Sequence, residues 1–359
     1  MSGPSHSPRI TVVVTAHRRK EFLRSALESV RFQLTEALPV EVVVVKDFVD
    51  SSLDGFLRDS GILSLEPTVA NLGGWVSEAA EHARAPVLAF LDDDDLFVGG
   101  KLATVDQVFR EEPGCGYYRN AVRRFGEVQR TEVSNPDKPS RPFRRIDDAS
   151  KAPGPIEAMW RAGVSFNHSS IAVRRELVQQ FRPELKRLRG GYSTFLFYAA
   201  LVSTFGVVLD PRPFTLYRIH GGNRSPQAGG PRRREWGRAL RQAGPGAHDA
   251  ELILEMVRRR RPALWTQPVG RVRARNEMYL SWTDPGASRR RRTKALVGLA
   301  RVDGVRDLLD DLPSLGLGGL AIVRPDLVRR WCSDVSSPEA SRDEDEVSVP
   351  AAPTISRDH

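Results

Sequence analysis

The sequence predicts an α/β fold with a mostly parallel central sheet flanked by helices, followed by a C-terminal helical region. Three observations predict it. Short β-branched runs alternate with segments of helical spacing over the first 110 residues, and a polar cluster directly follows most of these runs. From residue 232 onward the apolar residues recur with helical spacing. Because ligands bind beyond the carboxyl ends of parallel strands, the polar clusters predict a binding edge.

Composition limits the class of protein. The chain has 359 residues, 40% hydrophobic and 28% charged, which is ordinary for a globular protein with room for more than one domain. Cys115 and Cys332 lie far apart, so neither a disulfide framework nor a zinc site is expected. We find no apolar run of about 18 residues and no signal-peptide core, which predicts a cytoplasmic protein, peripheral to a membrane at most.

The formal charge of +9 is unevenly spread, because the region 232–331 is basic and the tail from 333 is acidic. Basic helices favour phosphate-bearing partners or an anionic lipid surface, although solvated helix faces are the simpler interpretation. The basic runs lack interleaved aromatic residues, so specific nucleic-acid recognition is not expected. The oligomeric state stays open.

The first two strand–helix units are the clearest. Ile10–Val14 is a predicted strand, a polar loop holds residues 15–18, and Glu21–Gln33 has helical spacing. Val40–Val45 is a second buried strand ending at Lys46 and Asp47, and a short helix is predicted over Ser51–Asp59. Both polar clusters follow a strand and are expected at one edge of the sheet.

Next come a weaker strand over Ile62–Leu65 and a helix over Trp75–Arg84, with Asn71-Leu-Gly-Gly74 between them. Paired glycines before a helix permit a close backbone approach to a phosphate, and an ordinary turn is the alternative. Val87–Leu91 then forms a buried strand that stops at four consecutive carboxylates, Asp92 to Asp95. Such a cluster favours a divalent cation with oxygen ligands; a solvated acidic turn that caps a helix is the other interpretation.

The remaining elements are predicted with less definition. Residues 134–155 lack periodicity and are predicted to form a loop. Predicted helices cover 101–110, 174–181, 192–205, 233–243, 247–261, 269–281 and 289–300, with a helical turn over 156–161. Predicted strands cover 116–118, 168–173, 207–209 and 214–219, a strand or hairpin covers 121–131, and residues 327–331 close the folded part. The resulting domains are a tail (1–9), a sheet domain (10–228), a basic helical region (229–332) and a disordered acidic tail (333–359).

Five stretches together resemble a family 2 glycosyltransferase of the GT-A fold: Ile10–Arg18, Val42–Asp47, Asn71–Gly74, Phe90–Leu96 and Leu216–Ser225. Their order and spacing carry the resemblance, which covers roughly residues 10–225. It implies an inverting, metal-dependent enzyme that moves a sugar from a nucleotide-activated donor to an acceptor. UDP-sugars are the first donor candidates, followed by GDP- and dTDP-sugars.

The resemblance also implies roles for individual residues. Asp94 would bind Mg²⁺ or Mn²⁺, Asp92 would bind the metal or the ribose, and His220 would close over metal and diphosphate. Asp93 is the variable middle position, and Asp95 would assist the metal or cap a helix. The remaining donor contacts fall on residues in the two strand-end clusters and the glycine pair: Thr15, His17, Arg18, Asp47, Asn71, Gly73 and Gly74.

This chain departs from the family pattern at the catalytic base. The family usually places an acidic pair near the helix that begins at Tyr192, and here the sequence is Gly190-Gly-Tyr-Ser-Thr194. Asp210, Glu184 and the pair Asp147 and Asp148 are the weak candidates that remain. A phosphate-bearing acceptor, such as a lipid phosphate, would need little base assistance, and a glycan or another lipid-linked acceptor is the alternative.

Two other functions stay open. A nucleotidyltransferase also uses acidic metal sites, but that class usually has a glycine-rich basic loop after the first strand, and Thr15–Lys20 contains no glycine. A catalytically impaired binding protein would use its basic helices to hold a polyanion or a membrane surface.

Overall fold

The structure is a computed structural model that describes residues 7–126, 144–147, 150–220, 232–302, 317 and 320–336. The chain divides into two compact units. The first consists of Met1–Gly222 with Pro245–Arg273, and the second of Asn223–Gly244 with Ala274–His359. The unit built on the sheet therefore takes in residues 245–273, which the sequence prediction assigned to the basic helical region.

A mixed central sheet organises the first unit. Its strands in chain order are β1 (Ile10–Ala16), β2 (Val40–Lys46), β3 (Leu63–Leu65), β4 (Val87–Asp92), β5 (Leu96–Phe97), β6 (Cys115–Gly126), β7 (Arg144–Ile146), β8 (Ile171–Arg174) and β9 (Gly206–Ile219). They lie in the order β3-β2-β1-β4-β8-β6-β9-β5, and β7 pairs with β9.

Helices flank the sheet and continue into the C-terminal part of the chain. They are α1 (Leu23–Arg31), α2 (Ser51–Asp59), α3 (Leu72–His82), α4 (Lys101–Glu111), α5 (Pro153–Arg161), α6 (Arg175–Gln180), α7 (Arg182–Leu185), α8 (Ser193–Val202), α9 (Arg232–Arg260), α10 (Gln267–Thr283), α11 (Arg289–Val302) and α12 (Pro325–Ser336). The predicted fold class, α/β with a flanked central sheet and a C-terminal helical region, is confirmed.

The first four strands pair in parallel, as predicted, and the rest of the sheet is mixed. β8 lies antiparallel between β4 and β6, while β6 and β9 are parallel to each other. Strand direction depends on the path of the connecting segments, which the residue pattern of a short strand does not encode. Parallel pairing therefore joins β1 to β4 and also β6 to β9, while β5, β7 and β8 pair antiparallel with their neighbours.

Both faces of the sheet are buried. Val13 of β1 belongs to one apolar cluster, whereas Val12 and Val14 belong to the cluster on the opposite face. This alternation explains why the strands are nearly continuous apolar runs. Helix α8 is buried on all sides of its central part, with Phe195 and Phe197 fully inaccessible. Each such side chain stabilises the fold by about 1.5–3 kcal/mol.

Several element boundaries differ from the prediction. The two strands predicted around Asp210 are one strand, β9, because a register shift opposite Asn120 and Val122 accommodates Pro211 and Pro213 as a bulge. The strand predicted from His168 begins at Ile171 after a 3-10 turn over His168–Ser170. The predicted loop over 134–155 contains β7 and the start of α5, and its residues 134–143 and 148–149 lie outside the described residues.

The C-terminal helices also differ from the prediction. α9 runs through Pro245, where two helices were predicted, and the boundary between the two units falls at that point. The second unit has its own core around Met278, Trp282 and Leu299. The predicted acidic tail starts within α12, and its residues 337–359 lie outside the described part of the chain. None of the described helices combines the length and apolar composition that crossing a bilayer requires.

Candidate active site

The four aspartates of 92–95, called the acidic loop below, connect β4 to β5. β5 pairs antiparallel with β9, and Leu96 lies opposite Leu216. This pairing brings the end of β9, with Arg218 and His220, to the acidic loop. Residues more than 120 positions apart in sequence therefore meet at one edge of the sheet.

The carboxylate of Asp94 is contacted by Arg19 and His220. Its Oδ2 lies 2.6 Å from Arg19 Nη2 and 2.9 Å from His220 Nε2. Arg19 also donates to Asp93 Oδ1 at 2.9 Å, and its Nη1 lies 2.9 Å from His220 Nε2. Arg218 Nε donates to the backbone carbonyl of Asp94 at 2.8 Å. One arginine thus joins two carboxylates and the predicted histidine ligand.

Asp95 is an anchor of the loop. It is fully buried, and it accepts hydrogen bonds from the Arg218 backbone N–H at 2.9 Å, from Asn167 Nδ2 at 2.7 Å and from Ser169 Oγ at 2.6 Å. Both of its oxygens are engaged by protein donors. The helix-capping role considered for Asp95 is not observed, since the α4 N-cap position is Gly100.

Asp92 is the more open end of the cluster. Thr15 Oγ1 donates to its Oδ1 at 3.2 Å, and His168 Nδ1 lies 3.6 Å from the same oxygen. His168 stacks on Tyr192, with ring centroids 4.0 Å apart. The stack lies beside Gly191, where a Cβ atom would stand 3.0 Å from His168 Nε2. Gly191 therefore leaves the room that this histidine occupies.

The carboxylates of the acidic loop differ in charge preference. Burial raises the pKa of Asp93 to about 7, although Arg19 opposes the shift. Burial, with the charges of Asp94 and Asp92, also raises the pKa of Asp95. Burial opposes ionisation of Asp94 too, but hydrogen bonds from His220 and Arg19 outweigh it and hold the Asp94 pKa below its usual value. Asp94 is thus the carboxylate of the loop best prepared to bind a cation while ionised.

The donor set fits a divalent metal. Asp92, Asp94 and Asp95 each offer an oxygen, and these atoms lie within 4.8 Å of one another. Within the described residues, Asp93 Oδ2 is buried without a hydrogen-bond partner. The donors to Asp95 are neutral groups, whereas Asp94 accepts from the charged Arg19 side chain, whose place a metal cation could take. Asp94 and Asp92, with His220 beside them, are therefore the residues that would hold the ion. All-oxygen sets with an added imidazole suit Mg²⁺ or Mn²⁺.

His17, Arg18 and Asp47, for which the resemblance implies contacts with the sugar-nucleotide donor, follow the adjacent strands β1 and β2. Asp47 is contacted by His17 Nδ1 at 2.6 Å and accepts from the Arg18 backbone N–H at 2.7 Å. His17 also packs edge-on against Trp75, with centroids 5.6 Å apart. Lys46 Nζ contacts Asp54 Oδ1 at 2.8 Å. A contact between Asp47 and the sugar-nucleotide donor stays a prediction.

The glycine pair and Asn71 serve packing in this structure. Asn71 caps α3 by accepting from the Gly74 N–H at 2.7 Å, and it donates to the Lys186 carbonyl. A Cβ atom on Gly73 would stand 2.3 Å from the Leu185 carbonyl oxygen, and one on Gly74 would stand 2.0 Å from a Val69 methyl group. The absence of side chains thus lets α3 approach its neighbours. A contact of Asn71, Gly73 or Gly74 with the nucleotide-sugar donor stays a prediction.

The candidate bases have diverse surroundings. Asp210 is fully buried, and its carboxylate accepts from Tyr118 Oη at 3.0 Å and from the Arg212 guanidinium. Glu184 lies 4.0 Å from Arg260. Asp147 hydrogen-bonds with Ser150, and Asp148 lies outside the described residues. The contacts described here, with Tyr118 and Arg212, Arg260 and Ser150, all lie outside the acidic loop, so the base is still to be assigned.

Sequence reasoning missed five residues that contact the acidic loop: Arg19, Asn167, His168, Ser169 and Arg218. Arg19 directly follows the polar loop at 15–18, and Arg218 lies inside the stretch that carries the family resemblance. Both residues could therefore have been predicted from the sequence. Asn167 and His168 carried a weaker signal, a polar run before an apolar strand. Asn167 has a φ of +64°, an uncommon value outside glycine, and its Nδ2 donates to Asp95.

Comparisons with known proteins agree with this location. Residues 11–169, a little under half of the chain, match the family model described as glycosyl transferase family 2. The matched segment contains the acidic loop, Thr15, Asp47 and His168. This match supports a family 2 glycosyltransferase. No curated protein sequence matches the chain significantly.

Two solved structures illustrate the more distant similarities. Staphylococcus aureus TarS 1-349 in complex with UDP-GlcNAc is 12% identical, with 94% of this chain and 92% of that chain covered and a TM-score of 0.48. The mannosyltransferase PcManGT from Pyrobaculum calidifontis, in complex with GDP-Man and Mn²⁺, is 17% identical, with 95% and 88% covered and a TM-score of 0.49. Identities this low do not transfer a donor or an acceptor.

Proposed function

We propose that this chain is a metal-dependent, inverting glycosyltransferase that uses a nucleoside-diphosphate sugar. The observation that carries the proposal is the acidic loop, in which three carboxylates converge within 4.8 Å inside the segment that matches the family model. UDP is the first candidate nucleotide, and GDP and dTDP are the alternatives.

The residues around the loop suit a diphosphate leaving group. The Arg19 side chain is 29% exposed and contacts both Asp94 and His220, so its guanidinium can turn from the carboxylates to phosphate oxygens when a cation takes its place. His220 and Arg218 stand at the same edge and can donate to the diphosphate as negative charge develops. Asp94 and Asp92 would hold Mg²⁺ or Mn²⁺. That ion would neutralise the departing diphosphate.

The group that removes the proton from the acceptor hydroxyl is not assigned. The family's acidic pair is absent at Ser193 and Thr194, the first residues of α8. We propose a phosphate-bearing acceptor, because an oxygen that is already anionic needs no base. A neutral glycan would require a carboxylate such as Asp147 to come within hydrogen-bond reach.

The donor site is tested by thermal unfolding of the full chain with UDP, GDP and dTDP, each with and without Mn²⁺. We expect one diphosphate to raise the Tm only when the metal is present, by an amount equivalent to about 2.7 kcal/mol at 100 times its Kd. Asp94→Ala should abolish this shift. Asp59→Ala, at an exposed position at the end of α2, is the matched control and should retain it.

The alternatives give different results in the same experiment. If no diphosphate stabilises the wild type with metal present, a binding protein becomes the better interpretation. Stabilisation that is equal with and without Mn²⁺ would contradict the metal part of the proposal. Stabilisation by nucleoside triphosphates, with release of pyrophosphate from a triphosphate and a sugar phosphate, would indicate a nucleotidyltransferase.

A further inference from the structure

The second unit contains a cavity of about 1010 Å³ between the end of α10 and the first half of α11. Its lining includes four cations, Arg289, Arg290, Arg291 and Lys294, and one acidic residue, Glu277. We call this the basic cavity. A volume of this size accommodates a small-molecule or headgroup-sized ligand.

Most of the positive charge in the basic cavity is not neutralised within the described part of the chain. Arg291 forms an ion pair with Asp284, whereas Arg289, Arg290 and Lys294 are exposed and form no ion pair with a described residue. Three such cations within six residues repel one another. An anionic ligand would relieve this repulsion.

A second basic run, at the end of α9, differs in that its arginines have partners. At the end of α9, Arg258 pairs with Glu251 at 3.3 Å and Arg259 pairs with Glu255 at 2.9 Å, while Arg260 packs over the Phe181 ring. The charges of Arg258 and Arg259 are therefore neutralised by glutamates of the same helix, and the Arg260 guanidinium is covered by an aromatic ring. Arg289, Arg290 and Lys294 differ from that run, because no described residue forms an ion pair with them.

The apolar surroundings indicate what kind of anion fits. Leu280, Ala295 and Val297 also line the basic cavity, and Val297 is 40% exposed. The same unit exposes Val323 at 68% and Leu327 at 42%. None of the described residues that line the cavity is aromatic, which argues against base stacking by nucleic acid. Exposed aliphatic side chains beside unpaired arginines are typical of proteins that contact anionic lipid.

We propose that the basic cavity binds the phosphate headgroup of an anionic lipid and attaches the second unit to a membrane surface. Arg289, Arg290 and Lys294 contact the phosphate. Val297 inserts toward the acyl region. This site is independent of the nucleotide site and requires no sugar transfer.

The test is co-sedimentation of the full chain with phosphatidylcholine vesicles, pure or mixed with phosphatidylglycerol. The cavity variant carries Arg289→Gln, Arg290→Gln and Lys294→Gln. The control carries Arg161→Gln, Arg258→Gln and Arg259→Gln, which removes the same charge from exposed arginines that are ion-paired within the described chain. Circular dichroism and the Tm establish that both variants are folded.

We expect the wild type to bind the mixed vesicles but not the pure ones. The cavity variant should lose at least about tenfold in partition coefficient, while the control changes by less than about threefold. A second measurement uses Val297→Ser, which keeps every charge and should also weaken binding if the apolar contact is real. Inorganic phosphate at matched ionic strength should compete only weakly.

Equal losses in the two triple variants would overturn the proposal, because binding would then depend on diffuse charge. Strong competition by inorganic phosphate, or a phosphate-induced rise in Tm without vesicle binding, would assign the cavity to a soluble phosphate compound instead. Failure of the wild type to sediment with mixed vesicles would also overturn it. The nucleotide-dependent thermal shift is unaffected by any of these outcomes.

Discussion

The acidic loop and the basic cavity both crowd like charges into a few residues, but they handle the charge differently. Asp93, Asp94 and Asp95 are at least 93% buried and contact side chains from three other parts of the chain. Arg289, Arg290 and Lys294 are exposed and follow one another on a single helix. The charges of the acidic loop are stabilised by tertiary contacts, whereas the charges of the basic cavity are exposed to solvent.

The difference has energetic consequences. A buried carboxylate that loses a donor or a cation must pay for desolvation without compensation, whereas an exposed arginine loses little when it is replaced. We therefore expect substitutions around the acidic loop to lower stability, and substitutions at the basic cavity to alter binding alone.

The largest effect is expected for Arg19→Gln. This change leaves Asp93 and Asp94 buried without their shared cation, and it should reduce the free energy of unfolding by about 3 kcal/mol, the lower end for a buried pair because Arg19 is partly exposed. Chemical denaturation in the absence of divalent ions measures it. Arg18→Gln, whose side chain is 81% exposed, is the control in the same loop. If both variants unfold like the wild type, the loop is not held by this ion pair.

Ser169→Ala should have the next largest effect. Its hydroxyl donates to the buried Asp95 carboxylate at 2.6 Å and accepts from the Asp92 backbone N–H at 2.9 Å. Loss of both bonds should cost about 1–3 kcal/mol. Ser170→Ala, which removes hydrogen bonds to the carbonyls of Phe166 and Asn167 only, should cost about 1 kcal/mol or less in the same denaturation experiment. A larger loss for Ser170→Ala would contradict the importance given to Asp95.

The labelling rates of the two cysteines allow the stabilities of the two units to be compared. Cys115 lies in the sheet unit and Cys332 in the second unit, and both are at most 3% exposed. Burial raises the thiol pKa to about 12 for Cys115 and to about 11 for Cys332, so labelling by a maleimide requires local opening. We expect Cys332 to react at least about tenfold faster in native buffer, because its unit has the smaller described core. Mass spectrometry of labelled peptides gives both rates, and faster labelling of Cys115 would reverse the comparison.

The smallest effect is expected for Arg290→Gln. An exposed arginine without a described ion pair should change the free energy of unfolding by less than about 0.5 kcal/mol. Urea denaturation, carried out in parallel with Arg19→Gln and Ser169→Ala, measures this free energy. A loss above 1 kcal/mol would mean that the basic cavity is held together by contacts of Arg290, and the contrast with the acidic loop would fail.

Much of the fold follows from local pattern. The helix over Ser51–Asp59 has the predicted bounds, and the strand predicted over Val87–Leu91 extends by one residue. In both cases the apolar spacing and the flanking turn residues specify the element without help from elsewhere in the chain. The convergence of Thr15, Asp47 and the acidic loop was also foreseeable, because parallel strands end at one edge.

Other features depended on partners distant in sequence. β9 continues past Pro211 and Pro213 because β6 can pair with it across a bulge, and α9 continues through Pro245 although a lone helix would be weakened there. Gly73 and Gly74 lie in the first turn of α3 because neighbouring backbone and side chains approach them closely. Proline and glycine rules describe isolated segments, and packing outweighed them at these points.

The sequence by itself determined the βα order, the position of the acidic loop and the unbalanced charge of α11, since each depends on neighbouring residues. Only the tertiary structure decided which carboxylate accepts from neutral donors and which faces a cationic side chain. Asp95 is engaged by Asn167, Ser169 and Arg218, while Asp94 faces Arg19 and His220. The physical reason is that burial and hydrogen bonding set the charge of each carboxylate, and both are supplied by residues far away in the chain.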